Sequence, residues 1–450
     1  MNNKLEDLKH YITEIDDGGK IIILDTGAII GPESSAMLQA LHSRSTGGLE
    51  NHLKILAEKG SENFMKNFYV GYGHKSIGDC GSTSIFIEGV SLLVAKAIQD
   101  WPLYSGQESS TRYIDFQVQP FKNPINTIEG KEILETWRKF YSESMEETKQ
   151  SLKKRFPRDE TENENIYNKA INARAFDTLR GFLPAGATTN LAWHTNLRQA
   201  ADKIMILRHS PMKEVRNVAK AIEETLKKAY PNSFNHEIFS TTEEYNKYWM
   251  ETDYYYHNPN CSKFEMTNNS INTNLLKKDI LEKRPLKTEL PKYLSEAGTI
   301  QFEFTLDFGS FRDLQRHRSV SQRMPLLTTE IGFEDWYLDE LPSEIKLKAE
   351  TLLKLQSEKI NNLKISKEAK QYYIPMGYKI SNRLTGGLPG IVYIAELRAT
   401  HFVHPTLRSV AKMIADKLSE TFGKNGLILH IEKEMDRFDI KRGEHDIVLK

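Results

Sequence analysis

An internal repeat limits what this 450-residue chain can fold into. The segment FLPAGATT around Pro184 corresponds to YIPMGYKI around Pro375, and IMILR, which ends at Arg208, corresponds to IAELR, which ends at Arg398. A third pair, RNVAKAIEETL and RSVAKMIADKL, follows in the same order. Three such blocks are too specific to be chance similarity between amphipathic helices, and two copies are too few for a solenoid. The sequence therefore predicts a duplicated domain with pseudo-twofold packing.

Length, charge and cysteine usage exclude several classes of protein. The chain is long enough for two or three domains. Its formal net charge is zero and its pI is about 7.2, so no overall positive field exists to hold a nucleic acid. Two cysteines cannot build a disulfide framework, and apolar stretches such as IIILDTGAII are too short to span a bilayer. We therefore expect a cytoplasmic protein with no nucleic-acid or membrane partner.

Hydrophobic periodicity predicts a mixture of helices and strands. Strands are expected at 21–24, at 84–91 and in IQFEFTLDF, with a loop over 100–116. Helices are expected at 50–59, 130–155, 164–182, 197–228 and 343–370.

The composition changes near Pro231 and stays rich in Asn, Thr, Tyr and Lys to about residue 290. This composition indicates a long connector, partly structured by its aromatic residues. The predicted organisation is therefore a first domain over 1–235, a connector over 236–290 and a second domain over 291–450.

Three polar clusters could carry chemistry. They are Gly73-His74-Lys75-Ser76 before a strand, Glu108-Ser109-Ser110-Thr111-Arg112-Tyr113 after that strand and its helix, and Arg316-His317-Arg318 after the corresponding strand of the second half. Arginine is never neutralised by titration and its forked guanidinium binds phosphates and carboxylates, so paired arginines need anionic partners. His317 lies between two cations, so we expect a neutral imidazole. The alternatives without a chemical role are a solvated helix face for Arg316-His317-Arg318 and, for the Ser/Thr-rich loop, side chains that cap their own backbone.

In combination, the clusters resemble the flavin-dependent thymidylate synthase family. Its subunits carry a Gly-His-x-Ser/Thr element, a strand, then Arg-His-Arg and Glu-x-Ser-x-Arg-Tyr, followed by Leu-Pro, Asn-x-Arg and Leu-Arg. The first half matches through GHKS, SIFIEGVS, ESSTRY, Arg180 before Leu183-Pro184, Asn196-Leu197-Arg198 and Leu207-Arg208. The second half matches through RHR, Pro375 and Leu397-Arg398. The resemblance implies an α+β chain with two copies of the family fold, an antiparallel sheet flanked by helices.

The two halves depart from the family pattern in complementary ways. In the first half, Asp100-Trp101-Pro102 stand where the family has Arg-His-Arg. In the second half, Met324-Pro325-Leu326-Leu327-Thr328 replace Glu-x-Ser-x-Arg-Tyr, and Asp313 replaces a glutamine. Family members are homotetramers that share nucleotide sites between subunits, so one site could be split between two copies. The competing explanation is decay of both halves to a scaffold, which would not be expected to leave complementary sets.

The resemblance implies one site built from both halves. The first half would supply Glu108, Ser110, Arg112 and Arg180, and the second half Arg316, His317, Arg318 and Arg398. Of these, Ser110, Arg316 and His317 are the catalytic candidates, and Glu108, Arg112, Arg180, Arg316 and Arg398 are the substrate-binding candidates. A homodimer would then imitate the family tetramer.

The resemblance also implies the reaction, which is reductive methylation of dUMP to dTMP. FAD is the cofactor, and NADPH and methylenetetrahydrofolate are co-substrates. The candidate flavin-contacting residues are His74, Ser76, Asp79, Asn196, Arg198, Arg316, His317 and Arg318. No metal is expected, because Pro405 follows His401 and His404 and no carboxylate joins them. Flavin-dependent alkylation of another pyrimidine nucleotide, which Asp313 would permit, and a non-catalytic nucleotide-binding protein are the alternatives.

Overall fold

The computed structural model describes residues 10–15, 19–24, 30–43, 45, 48–71, 73–109, 111 and 114–433. The strands are β1 (His10–Ile15), β2 (Gly19–Leu24), β3 (Ser82–Ser91), β4 (Ser105–Glu108), β5 (Thr188–Asn196), β6 (Phe264–Asn269), β7 (Ile300–Asp307), β8 (Ser321–Gln322) and β9 (Lys379–Gly386). The helices of the first half are α1 (Pro32–His42), α2 (Gly48–Lys59), α3 (Glu62–Phe64), α4 (Lys75–Gly78), α5 (Leu92–Gln99), α6 (Ile128–Arg155), α7 (Glu164–Leu179), α8 (Leu197–Leu207) and α9 (Lys213–Ala229). The remaining helices are α10 (Ser240–Asp253), α11 (Lys278–Glu282), α12 (Phe308–Leu314), α13 (Asp335–Asp339), α14 (Ser343–Asn362), α15 (Lys367–Lys370), α16 (Leu388–Arg398) and α17 (Pro405–Phe422).

Polar side chains fix where several helices begin. Ser91 ends β3 and accepts a hydrogen bond from the Val94 N–H, so α5 starts at the next residue. Asp307 ends β7 and accepts from the Ser310 N–H in the same way at the start of α12. Over the described ranges, no helix is long and apolar enough to cross a membrane.

The chain forms two compact units, and neither is continuous in sequence. Unit 1 comprises residues 1–87, 103–108 and 191–252, and unit 2 comprises residues 88–102, 109–190 and 253–450. Within unit 1, α8 and α9 pack together through apolar side chains such as Ile204 and Ile222. Unit 2 joins the first-half helices α5, α6 and α7 to most of the second half, so its core is built from both halves of the sequence.

The two larger sheets share an arrangement of three strands. One sheet has the order β3-β5-β4 and the other β6-β7-β9-β8. Ser105 of β4 lies opposite His194 of β5, and Ser321 of β8 lies opposite Thr385 of β9, both in antiparallel pairing. Each position of β5 corresponds to the position of β9 that lies 191 residues later. Pro184 and Pro375 are separated by this number, and so are His194 and Thr385. The paired strands therefore have the same register in both halves.

A reciprocal backbone contact joins the repeated segments inside unit 2. Pro184 and Pro375 form an antiparallel bridge. Four hydrogen bonds surround this bridge, and each has a partner in which the two halves exchange roles. They run from Ala185 N–H to Ile374 O (2.9 Å), Met376 N–H to Leu183 O (2.9 Å), Gly186 N–H to Tyr372 O (3.0 Å) and Gly377 N–H to Gly181 O (2.8 Å). Such an exchange is what a local twofold relation produces.

The sequence predicted most element types correctly but misjudged several boundaries. The strands expected at 21–24, at 84–91 and in IQFEFTLDF are confirmed as parts of β2, β3 and β7. The single helix predicted over 197–228 is wrong, because the chain breaks between α8 and α9 at Pro211, which cannot continue a helix. The helix predicted over 343–370 ends early at Asn362, and the predicted loop over 100–116 contains β4.

The segment predicted as a connector, 236–290, contains α10, β6 and α11. Its strand β6 pairs with β7 in antiparallel register, with Phe264 opposite Phe304. On β7 the residues Ile300, Phe302, Phe304 and Leu306 are buried, and α17 packs against this strand. The segment thus adds strand β6 to the sheet. Strand β7 of the same sheet leads into α12, and the Arg316-His317-Arg318 motif follows that helix.

Candidate functional site

The Arg316-His317-Arg318 motif follows the end of α12 in unit 2. Because α12 ends at Leu314, the motif lies in a loop in which successive side chains point in different directions. Arg316 and Arg318 are exposed, whereas His317 is only 5% exposed. The motif therefore presents two cations to solvent and one imidazole to the interior.

His317 is held by Arg398 from the end of α16. The Arg398 Nε–H donates to His317 Nε2 at 2.8 Å, and the Arg398 Nη2–H donates to the Asp313 carbonyl oxygen at 2.6 Å. Burial, followed by the charge of Arg398, lowers the pKa of His317 to about 3. This confirms the neutral imidazole expected from the sequence. Since Nε2 accepts a hydrogen bond, the proton of the neutral ring is on Nδ1.

Asp313 lies at the centre of a group of arginines. Burial raises the pKa of its carboxyl, but the charges of the surrounding guanidinium groups lower the pKa by more. Those groups belong to Arg316, Arg180, Arg398 and Arg312, in order of decreasing effect. Arg316 forms an ion pair with Asp313, with 3.6 Å from Nε to Oδ1. We call these five residues the arginine cluster; it carries four positive charges around one carboxylate.

Arg180 brings the first half of the sequence into this cluster. It opens a 3-10 turn, Arg180–Phe182, directly after α7 and is 7% exposed. Its nearest carboxylate contact is Nη1 to Asp177 Oδ1 at 3.9 Å, and its buried Nε and Nη2 atoms have no hydrogen-bond partner among the described residues. Burial lowers the pKa of Arg180, but the neighbouring Tyr337, Asp177 and Asp307 raise it by more. A buried cation with unused N–H groups can bind an anion at low cost.

A buried polar network lies behind the cluster, and the sequence alone did not reveal it. The Tyr337 hydroxyl donates to Asp307 Oδ1 at 2.8 Å, and the Thr406 hydroxyl donates to Asp307 Oδ2 at 2.5 Å. His404 Nδ1 lies 2.9 Å from the Thr406 hydroxyl. Of these residues, only Asp307 has a local signal in the sequence, because Asp is a favoured N-cap residue and it stands at the end of a strand. His404, considered only for a metal, is part of this network.

In unit 1, the structure brings together two of the candidate flavin-contacting residues. Arg198 Nη1 contacts Asp79 Oδ2 at 2.7 Å, and Arg198 Nε lies 3.5 Å from Asp202 Oδ2. Asp202 also receives Lys75 Nζ at 3.4 Å. Two cations and two carboxylates therefore balance locally, so this cluster suits the neutral parts of a ligand better than an additional phosphate.

The other candidate residues in unit 1 are placed as follows. Asn196 accepts a hydrogen bond from the Gln199 N–H with its side-chain oxygen and so caps α8, which leaves its amide nitrogen as a donor. His74 and Ser76 are exposed at the start of α4. Glu108 ends β4 opposite Leu191 and is half-buried. Ser110 and Arg112 lie outside the described residues.

Among the residues that the structure describes, no group of three or more His, Cys, Asp and Glu side chains could hold a metal ion. Both cysteines are free, and burial raises the pKa of the Cys80 and Cys261 thiols. Neither thiol is therefore activated as a nucleophile at neutral pH.

The chain combines helices with antiparallel sheets, and the arginine cluster has the charge and the N–H donors to bind an anion. Residues 30–232 match the family model described as thymidylate synthase complementing protein.

The relatives similar over most of the chain are proteins of similar overall length. The UPF0159 protein of Chlamydia muridarum is 24% identical, over 90% of this chain and 90% of that protein. The UPF0159 protein Ta1429 of Thermoplasma acidophilum is 22% identical, over 86% of this chain and 91% of that protein. The similarity therefore extends through both halves and the segment between them.

Two solved structures align with part of the chain. Thymidylate Synthase X from Helicobacter pylori, solved with FAD and dUMP, is 18% identical over 45% of this chain and 93% of that chain, with a TM-score of 0.27. The UMP/dUMP methylase PolB from Streptomyces cacaoi, bound with 5-Br dUMP, is 14% identical over 51% of this chain and 93% of that chain, with a TM-score of 0.30.

Proposed function

We propose that this chain is a flavin-dependent methyltransferase of pyrimidine nucleotides. Its substrate is dUMP, which it converts to dTMP by reductive methylation in the cytosol. Methylenetetrahydrofolate supplies the carbon and NADPH the reducing equivalents. The match of residues 30–232 to the family model supports this proposal. The motifs of the second half, such as Arg316-His317-Arg318, support it as well.

The observation that carries the proposal is the arginine cluster. Arg180, which belongs to the first half, and Arg316 and Arg398, which belong to the second half, all act on the same carboxylate of Asp313. The unused Nε–H and Nη2–H groups of Arg180 supply the donors that a phosphate requires. A site that needs both halves accounts for the complementary losses in their motifs.

Each residue of the site has a role that follows from its chemistry. The arginines neutralise the nucleotide phosphate and the negative charge that grows on the uracil ring during methylation. Neutral His317 fixes Arg398 through the bond at Nε2 and keeps a donor at Nδ1. Ser110, by its place in the Glu-x-Ser-x-Arg-Tyr motif, hydrogen-bonds the C4–C5 edge of the uracil. Glu108 and Arg112 complete the substrate contacts.

The residues present fit a flavin. Ring carbonyls and phosphates of FAD require N–H and O–H donors, and the exposed Arg316 and Arg318 offer both charge and donors. His74, Ser76, Asn196 and Arg198 would contact the neutral parts, with Asp79 orienting Arg198 at 2.7 Å. When bound, the flavin carries the hydride and the one-carbon unit. Cysteine is not required, in agreement with the raised pKa of both thiols.

The proposal includes a duplicated chain. The first copy occupies 1–235 and the second 291–450, and two such chains form a homodimer that replaces a tetramer. The equal register of β4–β5 and β8–β9 supports the duplication, as do the reciprocal bonds around Pro184 and Pro375. Random similarity between helical segments would not reproduce strand register.

Rescue of a thymidine-requiring bacterial strain, combined with release of the C5 hydrogen from tritiated dUMP by the purified protein, tests the proposal. We expect rescue by the natural chain and none by Arg316→Ala or Ser110→Ala. Arg158→Ala is the matched control, because Arg158 is exposed and donates to the Glu162 carbonyl oxygen away from the cluster. Rescue by both site variants would contradict a split site.

Two other outcomes would replace the proposed reaction. Methylation of a different pyrimidine nucleotide would retain the flavin chemistry and change the substrate, as the carboxylate of Asp313 would permit. Protein that binds dUMP but holds no flavin that NADPH bleaches would be a binding protein without turnover.

A further inference from the structure

The register of the two copies locates a counterpart of the arginine cluster. Ser91 and Asp307 cap equivalent helices, so the residue nine positions after each is equivalent, which pairs Asp100 with Arg316. Arg180 and Gln371 open equivalent 3-10 turns before the paired prolines. By the same counting, 324–329 corresponds to the Glu-x-Ser-x-Arg-Tyr segment at 108–113.

The counterpart has the wrong chemistry for a nucleotide. A carboxylate, Asp100, replaces the cation Arg316, and the neutral amide of Gln371 replaces the cation Arg180. Apolar residues over 324–327 replace the acceptor and hydroxyl of the motif, and Leu327 is 1% exposed. A dianionic phosphate would meet repulsion from Asp100 and no cation at the place of Arg180.

A run of three tyrosines, Tyr254–Tyr256, contacts these same counterpart residues within unit 2. The Tyr256 N–H donates to the Met324 carbonyl oxygen at 2.8 Å, and the Leu326 N–H donates to the Tyr256 carbonyl oxygen at 3.1 Å. The Leu327 N–H donates to Gln371 Oε1 at 3.1 Å, which ties the counterpart of Arg180 to the same strip of backbone. Backbone hydrogen bonds thus hold the tyrosine segment beside the residues that replace the Glu-x-Ser-x-Arg-Tyr motif.

Two side chains of the tyrosine segment, Tyr254 and Tyr255, lie near counterpart residues. Burial raises the pKa of Tyr254 well above its usual value, and the carboxylate of Asp100 adds to the rise. Burial raises the pKa of Tyr255, and the Gln371 amide opposes the rise. Arg383 covers the Tyr256 ring, with 4.6 Å from its guanidinium carbon to the ring centroid. Asp100 therefore lies near Tyr254, and Gln371 lies near Tyr255.

We infer that Tyr254–Tyr256 occupy the second copy of the nucleotide site and close it permanently. The Tyr254 and Tyr255 rings lie edge to face, with their centroids 4.7 Å apart, and a pair of aromatic rings can fill the space of a base. The inference rests on the proposed function and on the proposed duplication. It means that each chain has one open nucleotide site and one that its own segment has filled.

Hydrogen exchange on the full chain, followed by mass spectrometry of peptides that cover 253–258 and 323–328, tests this closure. We expect slow exchange at the Tyr256 and Leu326 amides in the free protein and no change with saturating dUMP. Tyr255→Ala is expected to raise exchange of the 323–328 peptide on the order of tenfold, because it removes the ring that lies near Gln371. Tyr255→Phe, which keeps the ring, is expected to leave it unchanged.

Tyr248→Ala is the matched control, because Tyr248 is 68% exposed on α10. Fast exchange of both peptides in the free protein would overturn the closure, and so would altered exchange at 323–328 on addition of dUMP. If dUMP changes hydrogen exchange nowhere in the chain, the proposed substrate is wrong. The exchange rates of the free protein would still show whether Tyr254–Tyr256 are packed against residues 323–328.

Discussion

Asp313 is the residue that sets the charge of the proposed nucleotide site. The arginine cluster keeps its pKa below the usual value despite burial, so the carboxylate is ionised at neutral pH and cancels one of the four positive charges. A ligand phosphate would feel both the arginines and this carboxylate. The balance between them determines the affinity and its dependence on salt.

Replacing Asp313 with Asn should strengthen nucleotide binding, because it removes the negative charge and keeps the shape. We expect the Kd for dUMP to fall by about threefold to tenfold at low ionic strength, and the gain to shrink in high salt. Calorimetric titration at two salt concentrations measures both effects. Asp339→Asn, which changes an exposed carboxylate paired with Lys346 at 2.8 Å, is the control. Weaker binding by Asp313→Asn would show that the carboxylate orients the arginines instead.

His317 should make stability depend on pH in a defined direction. Its pKa is about 3 in the folded chain and 6.5 in an unfolded one, so the unfolded chain binds the proton more tightly. The stabilisation is complete above pH 6.5 and falls as the pH drops toward 3. Between pH 7.5 and pH 5 the natural chain should lose about 2 kcal/mol more than His317→Gln. Urea unfolding at the two pH values measures this, and equal losses would contradict the buried neutral imidazole.

At the scale of elements, two equivalent glycines allow the repeated segments to approach. A Cβ on Gly186 would lie 2.6 Å from the Tyr372 carbonyl oxygen, and one on Gly377 would lie 2.9 Å from the Gly181 carbonyl oxygen. Both distances are too short for a side chain. The reciprocal hydrogen bonds around Pro184 and Pro375 therefore depend on glycine in both copies.

Alanine at either of these glycines should destabilise the chain by about 1–3 kcal/mol, because the two backbones must move apart. We expect similar losses for Gly186→Ala and Gly377→Ala in urea unfolding. Gly423→Ala is the matched control, since a Cβ there meets nothing within 4 Å. Unchanged stability in both variants would contradict the close crossing.

Local sequence signals predicted those elements whose burial follows from side-chain periodicity. The alternation of β7 and the strand-to-helix pattern of β3 and α5 predicted those elements correctly, because burial of one face follows directly from side-chain periodicity. The strand β6 was missed because its sequence, FEMTNN, is mostly polar and its pairing with β7 comes from a partner 36 residues away, counting from Phe264 to Ile300. Such long-range pairing leaves no local pattern.

At the scale of the whole molecule, the candidate site was predicted in part. The repeat and the complementary motif losses predicted that Arg180 and Arg316 serve one site, and their shared effect on Asp313 supports this. The buried network of Asp307, Tyr337 and Thr406 was missed, because its members lie far apart in sequence and none stands in a recognisable motif with the others. The composition of 236–290 indicates a connector, so it gives no signal for a role of Tyr254–Tyr256.

The central claim is that one nucleotide site per chain depends on residues from both halves. Calorimetric titration of dUMP into the natural chain, Arg180→Ala and Arg316→Ala tests it most directly. The account predicts one dUMP per chain, with affinity reduced about tenfold to a hundredfold by each substitution, since each removes a charge-assisted contact. Two dUMP per chain, or unchanged affinity in either variant, would contradict it.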